Sequence, residues 1–275
     1  SPHEIQILGL SATGENGDQL SDRLCQVHGP TELIYSDFRP VPLNFHYCHS
    51  KGLFPLLDEQ QGKINPRLKQ RRPKDSARRG KREGLSIPYV VGQLQDRQML
   101  PAIYFIFSRR GCDRAVTGMG NVSLVNEAEA ALLKEKIDEF LGWNPDAGRA
   151  GQVEPLYRGI AAHHAGILPA WKGLVEELFQ LGLIKVVFAT ETLAAGINMP
   201  ARTTVISSLS KRTDSGHRLL MASEFLQMSG RAGRRGMDEL GHVVTVESPF
   251  EGAKEAAHLA TVGPDPLVSQ FTPSY

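Results

Sequence analysis

Between Gln227 and Gly236 the chain reads QMSGRAGRRG, with three arginines, three glycines and a glutamine in ten residues. A guanidinium is a planar fork of donors that meets phosphate oxygens two at a time, so the chemistry on offer is the gripping of a phosphate. The spacing predicts a helix, with Ser223 at its N-cap and Phe225, Met228 and Ala232 recurring on its apolar side. On that helix Gln227, Arg231 and Arg234 fall at i, i+4 and i+7 and share one face. Gly230 and Gly233 each cost about 1 kcal/mol relative to alanine inside a helix. A sequence that accepts both needs its backbone close to something. Gly236 suits the C-cap. The competing reading is a solvated basic turn with no ligand.

Other residues capable of chemistry follow apolar runs. After residues 102–107 come Ser108, Arg109 and Arg110, a hydroxyl and two guanidiniums, or simply a basic loop. His163 and His164 are adjacent, so on extended backbone they face opposite ways, a poor spacing for joint metal ligation. Gly166, ahead of the next helix, can bring backbone N–H groups to a phosphate, whereas two histidines in a packed loop are the alternative. After residues 184–188, Thr190 and Thr192 stand at a strand-to-helix turn, and Gly196, Asn198 and Pro200 stop any helix quickly. Caps and turns alone also account for that pattern. No G-x-x-x-x-G-K-[ST] cradle occurs, and the acids of MDEL at 237–240 follow the arginine run without an apolar strand before them. The chain therefore carries half of a phosphate site.

The elements that must position these residues can be read from hydrophobic patterning. Strands are expected at 5–10, 33–35, 43–47, 102–107, 184–188, 204–207 and 242–246, several of them continuously apolar as buried parallel strands are. Helices are expected at 126–141 and, entered through Pro169, at 169–181. Alternating strand and helix implies an α/β fold with a mostly parallel sheet flanked by helices, whose ligands bind at the carboxyl ends of the strands.

With 41% hydrophobic and 22% charged residues among 275, the composition is that of an ordinary globular chain. No run approaches the roughly 20 apolar residues of a membrane span. Cys25, Cys48 and Cys112 are scattered, which points to a reducing compartment and no zinc site. The net charge of +1 conceals a block at residues 51–86 with 11 basic and 4 acidic residues. Such a block is expected to be a disordered basic insertion, either a solvated loop or an arm steered toward nucleic acid. The opening SPHEIQILGLSAT reads as the middle of a domain.

Taken in order, SAT at 11–13, AIYFIFSRRGCD, GIAAHHAGILP, VVFATETLAAGINMPARTTVI and EFLQMSGRAGRRGMDELG resemble motifs three to six of superfamily-two helicases. The chain resembles the second RecA-like lobe (the helicase C-terminal domain) of the superkiller-type DExH RNA helicases. Within them it is most similar to the plastid and cyanobacterial increased-size-exclusion-limit branch. The resemblance implies an ATP-dependent RNA helicase whose P-loop lobe lies elsewhere, so that this chain alone is inactive. It divides the chain into a final strand of lobe one at 1–14, lobe two at 15–250 with the basic insertion at 51–86, and a linker at 251–275.

By matching position, Ser11 and Thr13 couple ATP state to RNA binding. Arg231 and Arg234 are arginine fingers, and Gln227 orients a finger or the attacking water. Gly196 and Asn198 lie near the nucleotide. Ser108, Arg109, His164, Gly166, Thr190 and Thr192 touch the RNA backbone. ATP and Mg2+, bound mainly by the first lobe, are the implied ligands. RNA is the implied partner, with RNA-processing or ribosome-assembly proteins beside it and no membrane. A monomer in the chloroplast stroma or cyanobacterial cytoplasm is expected. A non-catalytic RNA or protein clamp and a DNA helicase are the alternatives.

Overall fold

The computed structural model describes residues 17–34, 41–69, 84–193 and 199–263. Ser11, Thr13, Gly196, Asn198 and the strand expected at 5–10 lie outside them.

Seven strands form one sheet in the order β2-β1-β9-β6-β3-β5-β4. They are β1 (Leu43–His49), β2 (Gly52–Pro55), β3 (Ala102–Phe105), β4 (Ile160–His163), β5 (Val186–Ala189), β6 (Thr203–Ile206) and β9 (Gly241–Val246). Every pairing is parallel except β1 with β2. β3, β4, β5 and β6 are buried at every residue, which is why β3 and β5 run without polar alternation. Two further strands, β7 (Ser210–Thr213) and β8 (Gly216–Leu219), pair only with each other as a hairpin. The expected α/β fold with a mostly parallel sheet is the fold found.

Helices α1 (Gly17–His28), α2 (Pro66–Lys69), α3 (Ile87–Asp96), α4 (Arg109–Gly118), α5 (Glu127–Trp143) and α6 (Val153–Tyr157) come before β4. Helices α7 (Pro169–Gln180), α8 (Ala222–Ser229) and α9 (Ala253–Thr261) follow among the described residues. α5 starts where the sequence places it because Asn126 and Glu129 cap one another. The Glu129 N–H donates to Asn126 Oδ1 at 2.8 Å and the Asn126 N–H to Glu129 Oε1 at 3.1 Å. The core between sheet and helices includes Leu94, Ile103, Phe105, Ile137, Trp171, Phe188 and Phe225, each essentially inaccessible to water. Each stabilises the fold by about 1.5–3 kcal/mol of burial.

Three expectations are corrected. The first part of the basic block, residues 51–69, is ordered as β2 and α2, because Leu53, Leu56, Leu57 and Leu68 are buried among its charges. Residues 70–83 lie outside the described region. Leu33 and Ile34 form no strand and are exposed. Residues 253–261, expected within a linker, form α9, which buries Ala253, Ala256, Ala257 and Leu259 against the lobe.

Candidate functional site

The candidate residues fall on two opposite edges of the sheet. Leu43, Ala102, Val186, Thr203 and Gly241 all begin strands at one edge, the amino edge. The arginine-rich loop lies there, and not at the carboxyl ends where the parallel topology led us to expect ligands.

α8 ends at Ser229, earlier than expected. Gly230 caps it at φ −64°, and Gly230 N–H donates to Leu226 O at 2.8 Å. The chain then turns alongside Ala201. Ala201 N–H donates to Arg231 O at 2.9 Å and Gly233 N–H to Ala201 O at 2.7 Å, a parallel bridge between Ala201 and Ala232. Gly233 takes φ +86°, and a Cβ there would lie 2.6 Å from Val41 Cγ1. A Cβ on Gly241, the first residue of β9, would meet the backbone of Ala232 and Gly233 at 2.7 Å. The close approach foreseen for the glycines is thus to the protein itself, the Val41 side chain and the start of β9. Gln227, Arg231 and Arg234 do not share one continuous helical face: Gln227 is exposed on α8, and the arginines belong to the loop. Ser223 is not the N-cap. Met221 precedes the first turn and donates its N–H to Glu224 Oε2 at 3.0 Å.

Within the loop, Arg234 lies against Asp238. The Arg234 N–H and Nε donate to Asp238 Oδ2, each at 2.8 Å, and Nη2 donates to Oδ1 at 2.9 Å. Arg202 Nε reaches the same Oδ1 at 3.0 Å, and Arg202 Nη1 donates to Gln98 O at 2.8 Å. The Asp238 side chain is 2% exposed, that of Arg234 15%. Burial alone would raise the Asp238 pKa. The donors from Arg234 and Arg202 outweigh it and hold the carboxyl well below the usual carboxylate range. Burial lowers the pKa of Arg231, which stays charged. Behind the loop, His46 Nε2 and His242 Nδ1 are 3.0 Å apart. Burial, then His242 and Arg97, push the His46 pKa down to about 4.

The remaining described candidates gather at the carboxyl edge, where β3, β5 and β4 are neighbours. Ser108 is the N-cap of α4 and accepts the Gly111 N–H at 3.0 Å. Arg109 is exposed in the first turn of that helix. Thr190 and Thr192 hydroxyls lie 3.0 Å apart at the end of β5. His163 and His164 point opposite ways, as their adjacency requires. His163 Nε2 meets Glu176 Oε1 on α7 at 2.7 Å, and His164 Nε2 meets Asp113 Oδ1 on α4 at 2.8 Å. His164 is 2% exposed, and its Nδ1 accepts the Gly166 N–H at 3.1 Å, so that N–H is already engaged. Gln152 Nε2 also donates to Asp113 Oδ1, at 2.7 Å. A Cβ on Gly166 would lie 3.6 Å from Arg109 Cδ, so the histidine loop and the start of α4 are side by side.

Sequence reasoning missed Asp113, Asp238, Arg202 and Glu224. Glu224 binds Arg218 Nη2 at 2.6 Å and Lys211 Nζ at 2.8 Å, tying the start of α8 to the β7–β8 hairpin. Lys211 also lies 3.8 Å from Glu191, in the turn between Thr190 and Thr192. Among the described residues no group of three or more potential metal ligands occurs, and no helix is long and apolar enough to cross a membrane.

The helicase conserved C-terminal domain matches residues 152–236, a span running from the histidine loop through the arginine loop. The fold and this match define the class: a RecA-like helicase C-terminal lobe. The chain is 44% identical to the DExH-box ATP-dependent RNA helicase DExH15 chloroplastic of Arabidopsis thaliana, across 100% of this chain and 27% of that protein. It is 40% identical to the probable helicase HelY of Mycobacterium tuberculosis (100% and 33%) and 33% identical to the exosome RNA helicase MTR4 of Homo sapiens (100% and 28%). These similarities are consistent with the C-terminal lobe of a superkiller-type DExH-box helicase of superfamily two, and the chain spans a third or less of the length of these relatives.

Proposed function

We propose that this lobe is half of an ATP-dependent RNA helicase motor, with ATP read at the amino edge and RNA at the carboxyl edge. Arg231 and Arg234 stabilise charge on the γ-phosphoryl group as its bond to ADP breaks and a bond to water forms. Gln227 orients a finger or the water. Gly196 and Asn198 border the nucleotide, and Ser11 and Thr13 transmit its state. Loop 230–236 suits a polyphosphate, being glycine-shaped and bearing the exposed Arg235 beside two half-buried arginines. The P-loop and the acids that hold Mg2+ belong to the other lobe, so this chain alone is inactive.

At the carboxyl edge, Ser108, Arg109, Thr190 and Thr192 meet the RNA sugar–phosphate backbone, which positions the strand without reading its sequence. His164 is buried, so it acts by shaping the loop that carries Gly166.

The observation that carries this reading is the placement of α8. One end is tied to the β7–β8 hairpin through Glu224, and the other opens into the arginine loop. Eight helical residues span about 12 Å, comparable to the strands they cross. RNA is favoured over DNA because two of the relatives are named RNA helicases. A chloroplast stroma or cyanobacterial cytoplasm, a monomeric state, and RNA-processing or ribosome-assembly partners complete the proposal.

The test is RNA-stimulated ATP hydrolysis by the full-length protein that carries this chain, wild type beside Arg231→Ala. A loss of roughly 10³-fold in turnover with RNA affinity retained is expected. Unchanged turnover sinks the finger assignment, turnover absent from the wild type leaves the RNA clamp, and stimulation by DNA alone leaves the DNA helicase.

A further inference from the structure

We infer that Asp238 is the residue that positions Arg234 for the phosphate; the inference rests on the finger reading above. The carboxylate accepts four hydrogen bonds between 2.8 and 3.0 Å, three from Arg234 and one from Arg202. It grips Arg234 through Nε and Nη2. A guanidinium held by that side keeps its Nη1 donors, and one on Nη2, for a second acceptor. Arg234 is thereby fixed in direction before any phosphate arrives.

The fixing runs through the fold. Asp238 Oδ1 is bound by Arg202, which directly precedes β6, and Arg202 is bound to Gln98 O ahead of β3. The arginine is therefore referenced to two central strands as well as to its own loop. A flexible arginine must be ordered at the moment of reaction, whereas a pre-aimed one has met that cost on folding. A lone charge in this place would be strongly disfavoured; a carboxylate between two guanidiniums is compensated.

The experiment uses the full-length protein and measures turnover and KM for ATP under saturating RNA, with affinity for a single-stranded RNA oligonucleotide measured separately. The variants are Asp238→Asn, Arg234→Ala and the two combined. Asp238→Asn is expected to lower turnover about 10²-fold, the cost of misaiming a group by an ångström, with RNA affinity unchanged. The combined variant is expected to be no slower than Arg234→Ala alone, because Asp238 acts only through that arginine. Multiplying losses, or unaltered turnover in Asp238→Asn, overturns the inference while leaving the finger reading intact. Unaltered turnover in Arg234→Ala overturns both. Should Asp238→Asn fail to fold, Arg202→Ala takes its place, since it removes one donor outside the 234–238 turn. A roughly tenfold loss of turnover supports the inference, and wild-type turnover overturns it.

Discussion

The two edges of the sheet hold their polar groups by different means. At the carboxyl edge a serine caps its own helix, two threonines face each other, and a histidine loop leans on Asp113 of α4. At the amino edge a buried carboxylate organises two arginines that lie 32 residues apart in the chain, Arg202 and Arg234. Hydroxyls and backbone groups suit a polymer that must slide past, because each contact is weak and replaceable. Forked, pre-aimed cations suit a single phosphate whose charge grows in the transition state. Under the proposed function one edge grips RNA and the other acts on ATP, and the two are built from different chemistry.

The sharpest way to break that contrast is at His164. His164→Ala removes the ring between Asp113 and the Gly166 N–H. It is expected to weaken RNA binding by roughly tenfold, the effect of about 1.4 kcal/mol, while turnover at saturating RNA stays near wild type. A fall in turnover with RNA affinity intact would merge the two edges into one site. Next comes Gly233→Ala at the amino edge. With φ at +86° and Val41 in the way, it is expected to cost about 1–3 kcal/mol and lower the melting temperature by several degrees. A melting curve superimposable on wild type would show that the loop can relax away from β9. Ser108→Ala should cost about 1 kcal/mol through the lost cap on α4, measured by urea unfolding.

The edges also differ in their response to acid. His46 has its folded pKa depressed to about 4, so unfolding takes up a proton once the pH drops below its unfolded value near 6.5. Stability falls from about pH 6.5 toward 4, and His46→Gln is expected to flatten that slope. Glu224, held at about 2 by Arg218 and Lys211 against the opposing effect of burial, contributes above its unfolded pKa near 4.5. That contribution is lost as the pH falls from about 4.5 to 2. Urea midpoints at pH 7, 5 and 3 separate the two groups.

Much of this architecture was legible. Continuous apolar runs announced the strands, and the hydrophobic pattern over 126–141 announced α5, because those signals are local. What escaped depends on distant partners. α8 stops at Ser229 because Ala232 pairs with Ala201, and no helical period records a bridge across 31 residues. Asp238 looked idle because one of its partners, Arg202, is 36 positions away. The charge of residues 51–69 hid four leucines that were present in the sequence all along. The arginines themselves were visible from their type and spacing, but the edge they occupy was not, since topology suggested the opposite one.

β2 has a consequence for how the lobe behaves among its own kind. It runs antiparallel at the end of the sheet and finishes at Pro55, which has no N–H to offer, while Asn65 Nδ2 covers the Pro55 carbonyl at 2.9 Å. A second sheet finds little there to continue from, so aggregation by edge-to-edge growth is discouraged at that side.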